Sequence, residues 1–216
     1  KDVLPAFIAS EANAELGNEP LHGSSGPLHI GNVPFVDPNE RLWMAACEAA
    51  GYPRNPDFNG AVQEGVGFFQ FTIKGGERWG TGKAYLRPAL ERPNLTLTTG
   101  VLVTGLVIEN GRATGVRYLR DGVPEVAHAS EEVVLSAGSI GSCQLLLLSG
   151  VGPADELREV GVAPVHDLPG VGKDLQDHIN IPITFYTREK IGVGAWDDAF
   201  LETSLAEWQD KRSGAR

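Results

Sequence analysis

Residues 131–150 read EEVVLSAGSIGSCQLLLLSG, and this stretch decides the fold. Its apolar centre at 133–135 is typical of a strand that is buried on both faces. Small residues follow, with Ser142 as the predicted N-cap, and a Leu-rich helix then runs to Gly150. In open α/β sheets, cofactors and anions bind where a helix begins at the carboxyl end of a strand. The stretch therefore predicts an α/β fold, and its small residues suit either a ligand or close helix–strand packing.

A β-meander is predicted before this stretch, with strands at 95–98, 102–109 and 113–120. Asn110-Gly111 separates the last two strands and is a strong signal for a two-residue hairpin. Further strands are predicted at 66–73, 131–136 and 179–187, and helices at about 3–14, 82–91 and 153–160. The spacing of Leu201, Leu205 and Trp208 predicts an amphipathic helix near the end of the chain.

A helix is predicted over residues 38–50. Asp37 is a favourable N-cap, Pro38 suits the first helical position, and Glu40 completes a capping box. Gly51 then stops the helix.

Composition excludes several classes of protein. The chain has 216 residues and a formal net charge of −10, which argues against a nucleic-acid partner because phosphate contacts need basic residues. No apolar run approaches the roughly 20 residues that span a bilayer. Two cysteines and five scattered histidines give neither a disulfide framework nor metal-ligand spacing, so we expect no metal and a reducing, cytoplasmic location. The 27 glycines indicate many tight turns and many places where the backbone closely approaches another group.

Two enzymatic motifs are nearly present. Residues 137–141 resemble the G-x-S-x-G turn of serine hydrolases, with Ser139 as nucleophile and His178 downstream, but Ala137 replaces the first glycine and a meander precedes the turn. Residues 75–83 end in Gly-Lys like a P-loop, but Ala84 stands where Mg²⁺ needs a hydroxyl. A G-x-G-x-x-G motif is absent from the sequence, so any dinucleotide fingerprint lies outside it.

Several collinear segments resemble the glucose–methanol–choline (GMC) family of FAD-dependent oxidoreductases, and the choline dehydrogenase-like members in particular. Residues 138–152 resemble the second family signature, with Cys143 where Pro or Ser is usual. Residues 168–178, LPGVGKDLQDH, are similar to the PGVG-x-N-LQDH stretch. Residues 78–86, RWGTGKAYL, resemble R-x-S-T-x-x-A-Y-L with Gly80 in place of Ser.

This resemblance implies the fold and the cofactor site. The family has an FAD-binding, Rossmann-like α/β domain interleaved with a substrate domain built on an antiparallel sheet, so the implied class is α+β overall. It implies that residues 1–75 are a substrate-domain segment, 76–178 part of the FAD domain, and 179–216 the start of a second substrate-domain segment. The implied FAD contacts are the Val103 backbone at the adenine, Ala137, Gly138 and Ser142 on the adenosine side, and Trp79, Gly80 and Thr81 at the flavin end.

The activity implied by the resemblance is oxidation of the CH–OH group of a small alcohol, with hydride transfer to flavin N5. The pyrophosphate fingerprint and the catalytic His would lie on N- and C-terminal segments outside this sequence, so no catalytic residue is expected within it. Hydroxynitrile lyases resemble the same FAD scaffold and are one alternative. A serine hydrolase that uses Ser139 is the other.

Overall fold

The computed structural model describes residues 2–184, 186, 188, 189 and 191–213. The helices are α1 (Leu4–Ser10), α2 (Pro38–Ala49), α3 (Arg87–Ala89), α4 (Gly138–Leu148), α5 (Ala154–Glu159) and α6 (Asp198–Lys211), with a π-helix at Gly82–Leu86 and a 3₁₀ turn at Val193–Ala195. The strands are β1 (Glu11–Asn13), β2 (Leu28–Ile30), β3 (Ile73–Lys74), β4 (Glu77–Arg78), β5 (Val101–Glu109), β6 (Arg112–Arg120), β7 (Val123–His128), β8 (Val151–Gly152) and β9 (His166–Asp167).

The chain forms two compact units. Lys1–Thr96 and Thr184–Arg216 make the split unit, and Leu97–Ile183 makes the meander unit. These units are regions of dense internal contact. The boundaries expected after residues 75 and 178 separate something else, namely the segments of the FAD domain from those of the substrate domain. That domain assignment stays a prediction.

The meander unit is built on an antiparallel sheet in the order β5-β6-β7. Its first turn is Asn110-Gly111, as predicted, and both residues have positive φ, at 52° and 77°. The second turn, Asp121-Gly122, has the same signature, with φ of 51° and 80°. Asp-Gly is as strong a hairpin signal as Asn-Gly, and the prediction missed β7 behind it.

Three predicted strands are wrong. Residues 95–98, 131–136 and the described part of 179–187 form no ladder with any other described residue; positions 185 and 187 lie outside the described residues. A β-strand needs a hydrogen-bonded neighbour, which an apolar run cannot supply for itself. Val134 is 74% exposed and Ile179 is 89% exposed, so both segments present apolar surface.

Helix α4 is fastened to the edge of the meander by a buried serine. The Ser149 Oγ accepts a hydrogen bond from the Leu106 backbone N–H at 2.7 Å and donates one to the Leu145 carbonyl at 2.6 Å. Gly105 leaves room for this contact, because a Cβ at that position would lie 3.3 Å from the Ser149 Oγ. The sequence showed Ser149 only as a break in the run of leucines.

We expect Ser149→Ala to lower the free energy of unfolding by about 1–3 kcal/mol, because the Leu106 N–H would be buried without a partner. Urea unfolding measures this change, and hydrogen exchange at the Leu106 amide localises it. Ser139→Ala, at an exposed position of the same helix, is the control. Equal stability of the two variants would contradict this role for Ser149.

The split unit has the predicted α2 at Pro38–Ala49. The Asp37 side chain accepts from the Asn39 N–H at 2.8 Å, and the Glu40 side chain accepts from the Asp37 N–H at 3.1 Å, so the capping box is confirmed. The predicted helix at 3–14 ends at Ser10, since Glu11 enters β1 beside the parallel strand β2. Of the predicted strand at 66–73, only Ile73 joins β3; Val66 and Phe71 form isolated bridges.

A buried polar cluster joins distant parts of the split unit. The His22 Nδ1 lies 3.1 Å from both Glu11 carboxylate oxygens, and its Nε2 lies 3.1 Å from the Asp57 Oδ2. Burial lowers the pKa of His22, but hydrogen bonds and charge from Glu11 and Asp57 outweigh it, so the pKa is raised. Both ring nitrogens donate only in the protonated imidazole, which is the form that suits two carboxylates.

Because the folded-state pKa of His22 is raised, its stabilisation is complete below the unfolded value of about 6.5 and is lost as pH rises through the folded value. We expect His22→Gln to lower the free energy of unfolding by about 3 kcal/mol at pH 6. The difference from wild type should shrink as the pH is raised. Unfolding of both proteins across this pH range measures the effect, with His128→Gln, an exposed histidine of β7, as control. A difference independent of pH would show that His22 charge is not involved.

Candidate functional site

The start of α4 is open and free of acidic side chains. Ala137 is the N-cap residue and supplies no side-chain hydrogen bond to the first turn. Gly138 has φ of 81°, and a Cβ added there would meet no described heavy atom within 4 Å. The first amides of a helix lack intrahelical partners, and no side chain of the N-cap residue bonds to them here.

Ser142 has a different local role from the predicted N-cap. The helix begins at Gly138, which places Ser142 inside its second turn. From there the Ser142 Oγ accepts a hydrogen bond from the Ala137 N–H at 3.1 Å. This contact holds the turn that leads into α4 and leaves the amides of the first turn uncapped.

This arrangement fits a dinucleotide cofactor. The partial positive charge of a helix N-terminus favours an anionic or polar group, and no side chain of the first turn opposes it. The open space at Gly138 is volume that any larger residue would fill. Ala137, Gly138 and Ser142, three of the expected site residues, therefore come together at one end of α4.

Val103 lies on β5, an edge strand of the meander, where it pairs with Tyr118. A shift in register follows between Val103 and Gly105, and the Thr104 Oγ1 within it donates to the Arg117 carbonyl at 3.2 Å. Such bulges redirect the backbone locally, which is common next to functional sites. The end of α4 packs on the same strand through Ser149.

Trp79, Gly80 and Thr81 lie in the split unit and join the β3–β4 hairpin to the π-helix at Gly82–Leu86. The Trp79 N–H donates to the Thr72 carbonyl at 2.7 Å, and its Nε1 donates to the Pro27 carbonyl at 3.0 Å. The Lys74 Nζ lies 4.8 Å from the centre of the Trp79 ring. Gly80 has open space where a Cβ would stand. We call residues 79–81 the flavin-end loop, after the role expected for them.

A cavity of about 890 Å³ opens beside this loop within the split unit. Gly76 and Arg78 of the hairpin line it, together with Asp37 and the indoles of Trp196 and Trp208. The Trp196 Nε1 donates to the Asp37 Oδ2 at 3.2 Å. Aromatic walls with a few polar groups are the usual lining of small-molecule sites. Sequence reasoning missed this cavity because its walls come from segments far apart in the chain.

The structure does not assemble the hydrolase site considered above. Ser139 is exposed in the first turn of α4, and its hydroxyl has no hydrogen-bond partner among the described residues. The His178 N–H donates to the adjacent Asp177 Oδ1 at 2.8 Å, and no bond joins its imidazole to Ser139. Among the described residues, no helix has the length and apolar character needed to cross a bilayer.

Not every glycine near α4 faces open space. A Cβ on Gly150 would lie 2.5 Å from the Ala163 carbonyl oxygen, and one on Gly152 would lie 2.5 Å from the Leu147 side chain. These two glycines allow close packing after α4, whereas Gly138 leaves the helix start open.

The chain is similar in sequence to curated proteins over most of its length. Over 214 residues it is 41% identical to the oxygen-dependent choline dehydrogenase of Rhizobium etli, covering 99% of this chain and 39% of that protein. It is 43% identical over 195 residues to the mitochondrial choline dehydrogenase of Mus musculus, covering 87% of this chain and 33% of that protein. The chain thus spans between a third and two-fifths of the length of these relatives.

A solved structure agrees with the sequence relatives. The FAD-dependent oxidoreductase from Chaetomium thermophilum superposes with a TM-score of 0.84 at 27% identity, over 99% of this chain and 40% of that one. The predicted α/β fold of an FAD-binding enzyme is confirmed by this likeness. The family described as GMC oxidoreductase matches residues 1–180, and the chain belongs to that family.

Proposed function

We propose that the chain is part of an FAD-dependent oxidoreductase that acts on the CH–OH group of a small alcohol. The observation that carries the proposal is the family match over residues 1–180, in which the open start of α4 fits a dinucleotide. Two relatives are named choline dehydrogenases, so choline is the first alcohol to test.

We assign the cofactor contacts in two groups. In the meander unit, Ala137, Gly138 and Ser142 would line the adenosine side, and the Val103 backbone would meet the adenine. In the split unit, the flavin-end loop of Trp79, Gly80 and Thr81 would approach the flavin. The cavity beside that loop would receive the carbon skeleton of the alcohol, since Arg78 lines it one residue before Trp79.

FAD, when bound, supplies the hydride acceptor at its N5. The residues of this chain would bind the cofactor, orient the alcohol and exclude water from both. The amides at the start of α4 would hold the polar portion of the dinucleotide, and the aromatic walls at Trp196 and Trp208 would shield the alcohol from solvent. Removal of the hydroxyl proton needs a base, which we assign to a His on a C-terminal segment outside this chain.

Exposed apolar residues support a role for further segments of the same enzyme. Five apolar side chains are each more than 70% exposed: Val134, Ile140, Leu175, Ile179 and Ile181. Contact between so much apolar surface and water is unfavourable, and such surface commonly marks an interface with another part of a protein. We propose that N- and C-terminal segments cover this apolar surface and complete the FAD and substrate domains, with boundaries in this chain near residues 75 and 178.

We further propose a cytoplasmic location, supported by the free thiols of Cys47 and Cys143. No observation favours the lyase or the hydrolase.

Gly138→Val should reduce the FAD content of the full-length enzyme, because the added side chain would occupy the open space at the start of α4. Gly161→Val is a matched control in the same unit: Gly161 has φ of 79°, and a Cβ there also meets no described atom within 4 Å. Both substitutions carry a similar backbone cost of about 1–2 kcal/mol. Flavin absorbance per polypeptide measures the loss. Equal FAD content in the two variants would refute the placement of FAD at Gly138.

The full-length enzyme should purify with FAD, and added choline without oxygen should bleach the flavin absorbance. Residues 1–216 expressed alone should hold no FAD, because the pyrophosphate fingerprint lies outside them. Gel filtration followed by a visible spectrum tests both proteins. Flavin retained by the isolated chain would contradict the need for further segments. Release of cyanide from a hydroxynitrile without flavin bleaching, or phosphonate labelling of Ser139, would contradict the proposed reaction.

A further inference from the structure

Helix α6 is in direct contact with the hairpin that leads into the flavin-end loop. The Trp208 Nε1 donates to the Gly76 carbonyl at 2.9 Å. Gly76 has φ of 70°, and a Cβ there would lie only 2.1 Å from the Arg212 carbonyl oxygen. The hairpin turn therefore packs backbone against backbone on the C-terminal end of α6, and glycine is required at that contact.

Glu77 extends this contact to the far side of the loop. Its Oε1 lies 3.4 Å from the Arg212 Nη1, just beyond α6, and its Oε2 lies 2.5 Å from the Lys83 Nζ, in the π-helix. The Arg212 guanidinium in turn lies 4.3 Å from the centre of the Trp208 ring. One carboxylate thus connects α6 to the element that follows the flavin-end loop.

The loop is bonded to the element that follows it, because the Gly80 carbonyl accepts hydrogen bonds from the Lys83 and Ala84 N–H groups at 2.9 and 3.0 Å. Gly80 and Gly82 have no described atoms within 4 Å of an added Cβ, so neither is packed on that side. Trp79 is held at the start of the loop by Thr72 and Pro27. The placement of Gly80 and Thr81 consequently depends on where the hairpin and the π-helix stand.

We infer that Trp208 and Arg212 are positioning residues, which act through Gly76 and Glu77 to set the flavin-end loop. The inference rests on the proposed function, since it gives the loop its place beside the flavin. It assigns a role to α6, which the sequence marked only as an amphipathic helix. A contact that merely stabilised the hairpin would leave the surroundings of the flavin unchanged.

The test uses the full-length, FAD-loaded enzyme. Trp208→Phe keeps an aromatic ring but removes the donor to Gly76, and Arg212→Gln removes the charge beside Glu77. The controls are Trp43→Phe, at an exposed tryptophan of α2, and Arg158→Gln, which breaks a surface ion pair with Asp155 in α5. Hydrogen exchange over residues 75–84, the visible spectrum of the flavin, and kcat and KM for choline are measured for each.

We expect Trp208→Phe to speed hydrogen exchange at Trp79 and Ala84 and to shift the flavin absorbance band. The kcat should fall about tenfold, because a displacement of the order of 1 Å at a reacting centre can cost 10²-fold. Trp208 also lines the cavity assigned to the alcohol, so KM should change together with kcat in this variant. Arg212 is not among the lining residues, so in Arg212→Gln the KM should change less than kcat. Arg212→Gln should give smaller changes of the same sign, because an exposed ion pair contributes little.

An unchanged flavin spectrum and an unchanged kcat in both variants, beside an active wild type, would overturn the inference even if hydrogen exchange were faster, and would leave the proposed function standing. If Trp208→Phe fails to fold, Arg212→Gln alone decides between the two outcomes. A wild-type enzyme without FAD or alcohol oxidation would instead overturn the proposed function, and the wild-type spectrum shows this before any variant is compared.

Discussion

The hydrogen bond from the Leu106 N–H to the Ser149 Oγ is the interaction on which the candidate cofactor site depends. It joins the C-terminal end of α4 to β5, the edge strand that carries Val103. A helix fixed at one end presents its other end at a defined place, and for α4 that end is the uncapped turn at Ala137 and Gly138. The bond therefore links the two parts of the meander unit that we assign to the adenosine portion of FAD.

The split unit differs, because its candidate residues lie on a loop that takes its position from the elements around it. Distant segments supply the order. His22 joins Glu11 to Asp57, and Trp208 joins α6 to the turn at Gly76. Such contacts between remote segments are a common way to give a functional loop a fixed position on a scaffold. Gly76 and Trp208, the two residues of the second contact, also line the cavity beside the loop.

Short sequence motifs correctly predicted the structural features that depend on neighbouring residues. The capping box at Asp37 and the hairpin at Asn110-Gly111 both depend on residues within four positions of each other. Collinear motifs identified the GMC family and FAD as its cofactor, and both are confirmed. Asp121-Gly122 carried a usable signal for β7 that the prediction passed over, and β7 contains Pro124. Proline is tolerated there because β7 is an edge strand.

Other features could not be predicted, because they depend on partners far along the chain. Residues 131–136 have the composition of a buried strand, but no described segment pairs with them. Ser149 and His22 looked ordinary because their partners lie 43 residues away at Leu106 and 35 at Asp57. The α/β class thus followed from motif order, while the contacts that hold the candidate site followed only from the structure.

The most direct test of the account is hydrogen exchange of residues 137–142 in the full-length enzyme, with FAD bound and after FAD is removed. If the start of α4 holds the dinucleotide, the amides of its first turn should exchange more slowly with FAD bound, since those N–H groups would gain acceptors. The Leu106 amide should exchange at the same slow rate in both states. Unchanged exchange at 138–140 alongside FAD-dependent protection elsewhere would contradict the account.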